Sequence, residues 1–238
     1  MTVLSPAPDV WVLIGPRQRW TGLPPAPADR AAADGLPPAR AAERLAGRAA
    51  LRELLRLARP ELADDPVVTD PRGKPWLAGH PEAGISVSHD GGTVAAALAL
   101  RGPVGVDVQH APGSAAPGMV RRCLGRHAPS LDRLRPAQRA RELAWVWSAQ
   151  EACVKAAGSG LAGRPWTIDV PAGRTRGRWR AYRWVSFRGQ SDTPLSCAFL
   201  DPAAPGPTVP APLPPAPAVL APLSPGPPPA GAPHVPKG

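Results

Sequence analysis

Hydrophobic and polar positions recur along residues 1–200 with two different periods, predicting several short strands and two long helices. Asp9 to Ile14 alternates toward a β-strand, and a Pro/Ala-rich connection follows through Leu36-Pro37-Pro38. From Ala39 to Ala58 the apolar residues Leu45, Ala49, Leu51, Leu54, Leu55 and Ala58 return at helical spacing. The same helix carries Arg40, Arg44, Arg48, Arg52 and Arg56 at every fourth position, a basic stripe of the kind that usually faces solvent. DPRGKPWL, residues 70 to 77, reads as a turn from its proline and glycine content. Ile85 to Ser88 and Thr93 to Leu100 read as strands joined by HDGG in a tight hairpin, and Val104 to Val108 as a third strand. Ala111 to Leu134, rich in Pro and Gly, reads as irregular. A long helix is predicted from Pro136 to Ala157, with proline at its start and Gly158 just past its end. Trp166 to Val170, Arg178 to Phe187 and Leu195 to Leu200 read as the strands of a closing sheet.

This order of elements predicts an α+β fold made of two α+β halves of similar size, residues 1–101 and 102–200. No repeat is visible at the level of residues. Residues 201–238 are nearly all Pro, Ala and Gly. They lack the apolar content to offset the entropy of folding, and their prolines remove backbone donors, so a disordered or polyproline-like tail is expected.

Composition changes this picture in three places. The chain has 238 residues and 43% hydrophobic content, enough for a core. Its net charge is +10, to which the tail adds nothing because Asp201 and Lys237 cancel. A body this basic suits an acidic partner, although an Ala, Arg, Pro and Gly excess also follows from GC-rich coding. Only three of the 28 basic residues are lysine, Lys74, Lys155 and Lys237, so the two in the body call for a chemical explanation. The three cysteines, Cys123, Cys153 and Cys197, have no CxxC spacing and an odd count, which points away from a zinc site or disulfide framework and toward a reduced cytoplasm. The N-terminus has no basic start or sustained apolar run, and no segment reaches membrane-spanning length, so a soluble cytoplasmic protein is expected. No nucleic-acid-binding motif accompanies the charge, and no nucleic-acid partner is expected.

Candidate chemistry gathers at three places. On the long helix Leu143, Trp147, Glu151 and Lys155 lie four residues apart, so the two charges continue an apolar stripe that faces the protein. Glu151 and Lys155 alone read as an ordinary i,i+4 ion pair; a half-buried pair needs partners, which favours a site. In GVDVQ, residues 105 to 109, i,i+2 spacing on a strand puts Asp107 and Gln109 on one face and Val106 and Val108 in the core. With Glu151 these residues offer oxygen ligands suited to Mg²⁺, while a lone D-x-Q on a strand reads as a solvated acidic strand residue. In ISVSHD, residues 85 to 90, Ser88 and His89 end a strand, and with Lys74 in the preceding turn they offer groups that bind phosphate.

RGKPWL (72–77), ISVSHD (85–90), VGVDVQ (104–109) and WSAQEACVKAAGSGL (147–161) together resemble the 4′-phosphopantetheinyl transferases, in particular the surfactin-type branch with two pseudo-symmetric halves in one chain. The resemblance covers most of residues 10–200. It implies transfer of phosphopantetheine from coenzyme A to a serine of an acyl or peptidyl carrier protein, releasing 3′,5′-ADP. Carried onto this sequence, it implies that Asp107, Gln109 and Glu151 hold Mg²⁺, with Mn²⁺ as an alternative. It also implies that Glu151 and Lys155 act in catalysis, and that Lys74, Ser88, His89 and one or both of Arg44 and Arg48 bind coenzyme A. A monomer acting on an acidic carrier protein is expected. Two positions depart from the family pattern: Gln109 stands where glutamate is usual, and Gln150 where lysine precedes the glutamate. The first lowers the expected Mg²⁺ affinity, with rescue by Gln109→Glu. Two other functions fit the same residues, a catalytically weakened homologue that binds coenzyme A or a carrier protein, and a Mg²⁺-dependent nucleotide hydrolase.

Overall fold

Strand alternation stacks two sheets face to face and leaves each one's other face to a long helix. The structure, a computed structural model, describes residues 1–201, and the expected tail from residue 202 onward lies outside the described residues. The first sheet contains β1 (Thr2–Ala7), β2 (Val10–Pro16), β3 (Val67–Thr69), β4 (Pro75–Leu77), β5 (Gly84–Asp90) and β6 (Thr93–Ala99), in the order β1-β2-β6-β5-β4-β3. Between β2 and β3 run a short helix α1 (Pro27–Ala31) and the long α2 (Pro38–Ala58). The second sheet contains β7 (Val104–Val108), β8 (Arg176–Trp179), β9 (Tyr182–Ser186) and β10 (Leu195–Leu200), in the order β7-β10-β9-β8. Helices α3 (Pro117–Leu124) and α4 (Pro136–Ala156) lie between β7 and β8 in the chain.

The central strand β6 shows how the layers are built. Val94, Ala96 and Leu98 pack with Leu51, Leu54 and Leu55 of α2, while Ala95, Ala97 and Ala99 turn to the opposite side. There the alanines meet Val104, Val106 and Val108 of β7, as the i,i+2 reading of GVDVQ requires. Small side chains on β6 let the two sheets approach. The second sheet's other face carries Ala198 and Trp184 against Val146, Ala149, Ala152 and Cys153 of α4. Each buried leucine or valine contributes about 1.5–3 kcal/mol.

β7 is an edge strand of the second sheet, and its free edge is closed from the first sheet. The Ser86 hydroxyl accepts a hydrogen bond from the Val106 amide at 3.1 Å, and the Ser88 hydroxyl accepts one from the Val108 amide at 3.3 Å. Edge amides that would otherwise invite another strand are thereby satisfied. On its α4 side β7 carries Gly105, where a Cβ would collide with the Ala152 carbonyl, the Ala156 amide and the Lys155 Cβ. That close approach sets the helix at the strand. Gly105→Ala is expected to cost about 3 kcal/mol or more through overpacking against backbone atoms, read as a lowered urea midpoint.

Several expectations need correction. Residues 111–134 are not irregular throughout, because Val120, Cys123 and Leu124 form the buried side of α3. Trp166 to Val170 is no strand: Pro165–Thr167 make a 3₁₀ turn after Arg164 in the left-handed region. Arg178 to Phe187 is divided between β8 and β9 by the turn at Arg180, whose φ is 53°. Asp201 belongs to the fold and not to the tail, since its buried carboxylate pairs with Arg178 and Arg183, each at 2.9 Å. The basic stripe of α2 is solvated only in part. Arg48 and Arg52 are buried because α1 brings Asp29 over them, with Arg52 Nε donating to Asp29 Oδ2 at 3.0 Å and Arg48 Nε 3.8 Å from Oδ1.

Candidate active site

Two cavities meet beside the C-terminal half of β5 and share Val87 and His89. The smaller, about 340 Å³, is lined by Ser88 and Asp90 of β5, Asp107 of β7, Gln109 just beyond it, and Trp147, Glu151 and Lys155 of α4. Asp107 faces α4 because its neighbours Val106 and Val108 occupy the space between the sheets. From the helix, Lys155 Nζ donates to Asp107 Oδ1 at 2.7 Å, to the Ser88 hydroxyl at 2.9 Å and to the Val106 carbonyl at 3.2 Å. Ser88 in turn donates to Asp107 Oδ1 at 2.9 Å. The ammonium thus joins three segments.

The i,i+4 ion pair between Glu151 and Lys155 is therefore not formed. Glu151 makes no hydrogen bond or ion pair among the described residues, and its Oε1 is buried. Asp107 Oδ2 is also buried without a partner. Burial is the main force raising both carboxyls above their ordinary pKa; for Glu151 the charge of Asp107 adds to it, while Lys155 opposes it in both. Unsatisfied buried acceptors of this kind cost free energy unless a ligand completes them.

Hard oxygen donors in small number suit Mg²⁺ or Mn²⁺ with water and phosphate oxygens filling the remaining positions. The two orphaned oxygens, Asp107 Oδ2 and Glu151 Oε1, fit such an ion. Gln109 offers an amide oxygen in the same cleft. Among the described residues no group of three His, Cys, Asp or Glu side chains is arranged to hold a metal, so any cation here rests on two carboxylates and neutral donors.

The larger cavity, about 460 Å³, is lined by Arg40, Glu43, Arg44, Arg48, Thr69 and His89 among others. Arg48 donates from Nη2 to Thr69 Oγ1 at 3.2 Å, while its Nη1 is buried without a partner. Burial lowers its pKa from the usual arginine value. An unsatisfied guanidinium donor at a basic cavity is what an anion would fill. Arg44 is exposed, and His89 Nδ1 stands 4.0 Å from Glu43.

Ser88 and His89 both line the smaller cleft, whereas Lys74 lines neither cavity. Ser88 and His89 point to opposite faces of β5, and Lys74 Nζ donates to the Ala156 carbonyl at the end of α4 at 2.6 Å. Burial lowers the Lys74 pKa to about 8. Gln150 points away from the cleft; its Nε2 bonds the Cys123 and Ile168 carbonyls at 2.7 and 2.8 Å, tying α4 to α3. All three cysteines are free and buried, and burial pushes the Cys123 thiol up to about 11. Among the described residues no helix is long and apolar enough to cross a membrane.

Two residues had no role in the sequence reading. Asp90 lines the smaller cleft and Asp29 braces Arg48, and only for Asp90 was there a signal, its place beside the hairpin turn of ISVSHD. No curated protein matches the chain. Residues 103–203 match a family model, and this span carries Asp107, Gln109, Glu151 and Lys155, whereas Arg44, Arg48, Lys74, Ser88 and His89 precede it. Its members are phosphopantetheinyl-type transferases that use coenzyme A as substrate and act on carrier proteins. The span that carries the two orphaned carboxylate oxygens and the lysine of the cleft, residues 103–203, is what matches the model of the 4′-phosphopantetheinyl transferase superfamily.

Proposed function

We propose that the whole chain transfers 4′-phosphopantetheine from coenzyme A to a serine of an acyl or peptidyl carrier protein, as a two-halved enzyme of the surfactin type. The observation that carries this reading is the adjacency of an acidic cleft, with Asp107 Oδ2 and Glu151 Oε1 unpartnered, to an arginine-lined cavity. Coenzyme A carries a pyrophosphate and a separate 3′-phosphate, two anionic groups that two neighbouring cavities of this kind can divide between them. The stacking of one sheet and helix from residues 2–99 on another from residues 104–200, with the cleft at their junction, supports the two-halved form.

Asp107, Glu151 and the Gln109 oxygen would hold Mg²⁺, which supplies neutralisation of pyrophosphate charge. Lys155, already fixed by Asp107 and Ser88, presents its ammonium at the cleft as a compact charge for the transferred phosphoryl group. The carrier serine oxygen forms a bond to the phosphorus bearing pantetheine. The bond from that phosphorus to the bridging oxygen breaks, and 3′,5′-ADP leaves with the electron pair. Glu151, whose pKa is raised by burial, takes the serine proton directly or through water. Lys74 gives one of its three ammonium hydrogens to the Ala156 carbonyl and keeps two for a coenzyme A phosphate.

The test is mass spectrometry of apo carrier proteins incubated with coenzyme A, Mg²⁺ and the chain. Gain of one phosphopantetheine mass with 3′,5′-ADP released is the expected result. Binding of coenzyme A without either product would leave the weakened homologue, and hydrolysis without a carrier would leave the hydrolase. In the same assay Arg48→Gln is expected to raise the KM for coenzyme A about 10-fold or more, from loss of a charged hydrogen bond, with little change in kcat. Arg44→Gln should have a smaller effect because Arg44 is exposed. An unchanged KM in Arg48→Gln would take the 3′-phosphate out of this cavity.

A further inference from the structure

The sequence expectation treats Gln109 as a simple loss of charge that Gln109→Glu repairs. The structure gives Gln109 a partner that changes this. Gln109 Nε2 donates to Asp90 Oδ2 at 2.8 Å and to the His110 carbonyl at 3.3 Å. Asp90 Oδ2 also accepts the His110 amide at 2.6 Å. Both groups facing Nε2 are acceptors, so chemistry dictates which end of the amide meets them. The amide oxygen is what remains, and it accepts no hydrogen bond among the described residues.

We propose that Asp90 is a positioning residue for the cation site: by holding the amide nitrogen of Gln109 it reserves the amide oxygen for the cleft, so residues 90 and 109 form one carboxylate–amide pair whose roles can be exchanged. This rests on the metal-dependent reading of the cleft given above. The carboxylate usual at 109 in the family is thus present here one side chain away, at 90, and both residues line the cleft with Asp107 and Glu151. A glutamate at 109 would face Asp90 across a hydrogen-bond distance with no hydrogen between them. Two like charges so placed repel, so the new side chain swings away from Asp90 and is no longer held toward the cleft. Gln109→Glu alone should then gain nothing, against the simple expectation. When Asp90 is neutral the same substitution should gain.

The experiment is a double-mutant cycle on the full chain with Asp90→Asn, Gln109→Glu and both together. Mn²⁺ binding is read by the paramagnetic resonance signal of the free ion, and melting temperature is read without metal. Gln109→Glu is expected to leave Mn²⁺ affinity unchanged or weaker beside Asp90, and to tighten it about 10-fold or more in the Asp90→Asn background, a coupling of ordinary size for contacting charged groups. Without metal, Gln109→Glu is expected to lower the melting temperature only in the presence of Asp90. If Asp90→Asn does not fold, Asp90→Ser replaces it, since a hydroxyl can accept from His110 and donate to Glu or Gln at 109. Equal effects of Gln109→Glu in both backgrounds, with Mn²⁺ bound by the unsubstituted chain, would overturn the pairing and leave the metal reading intact. Failure of the unsubstituted chain to bind Mn²⁺ would overturn both.

Discussion

Asp107→Asn is expected to keep the fold and to lower phosphopantetheinyl transfer by about 10²-fold or more, the scale on which a single electrostatic group at a reacting centre is missed. Asp107 holds two donors in place. Its Oδ1 accepts from Lys155 Nζ at 2.7 Å and from Ser88 at 2.9 Å, and the same Ser88 hydroxyl accepts the edge amide of Val108. An asparagine presents a carbonyl oxygen in that place, so all three contacts survive, while the charge offered to a cation at Oδ2 is lost. Asp107→Ala removes the acceptor as well. Both variants take the counter-charge from the Lys155 ammonium, but only alanine leaves that ammonium and the Ser88 hydroxyl without their acceptor, at about 1–3 kcal/mol for each buried group so stranded. The two variants therefore separate chemistry from architecture: a cooperative melt near that of the unsubstituted chain for Asp107→Asn, and a large loss of melting temperature for Asp107→Ala. Full transfer activity in a folded Asp107→Asn chain would remove this carboxylate from the mechanism.

The elements that were legible in the sequence are those whose information is local. α2 and α4 carry apolar positions at helical spacing over 21 residues each, with proline in the first turn, and β5 and β6 are joined by two glycines at positive φ. Local order says less about partners. β7 follows β6 closely in the chain yet heads a different sheet, because its hydrogen-bonding partner β10 lies some ninety residues further on. α3 was hidden because it is short and starts among Pro and Gly. Arg48 looked solvated because its burial depends on Asp29, in a five-residue helix with no strong signal of its own. At the cleft, spacing correctly placed Asp107 and Glu151 on faces that meet. It misassigned the partner of Lys155, which a helical rule sends to Glu151 and tertiary packing sends to β7. Gly105 decides that outcome, since only a residue without a side chain lets α4 come close enough for Lys155 to reach across.

The second large effect is expected at Glu151, where function and stability should move in opposite directions. Glu151→Gln should lower transfer by about 10²–10³-fold, since it removes both a cation ligand and the proposed base. The metal-free variant should nonetheless be more stable at neutral pH. Burial and the neighbouring Asp107 raise the Glu151 pKa in the folded chain above its value in the unfolded one. Between those two values the folded chain binds more protons, so stability falls as pH rises through this window, and the full penalty is present above it. Asp107 acts in the same direction. A glutamine carries no charge to desolvate, and because Glu151 is only partly buried the gain is set near the low end, about 1 kcal/mol, or roughly 2–4 °C in melting temperature for a chain of this size. The two chains should converge as pH falls below the ordinary carboxyl range, where Glu151 is protonated in both states. Mg²⁺ should reverse the order at neutral pH, because binding to the folded state stabilises by mass action and the glutamine variant binds less. Thermal melts across pH with and without Mg²⁺ read all of this in one series. Equal melting temperatures without metal, or an equal Mg²⁺ shift in both chains, would mean that the buried oxygen of Glu151 is not held open for a cation.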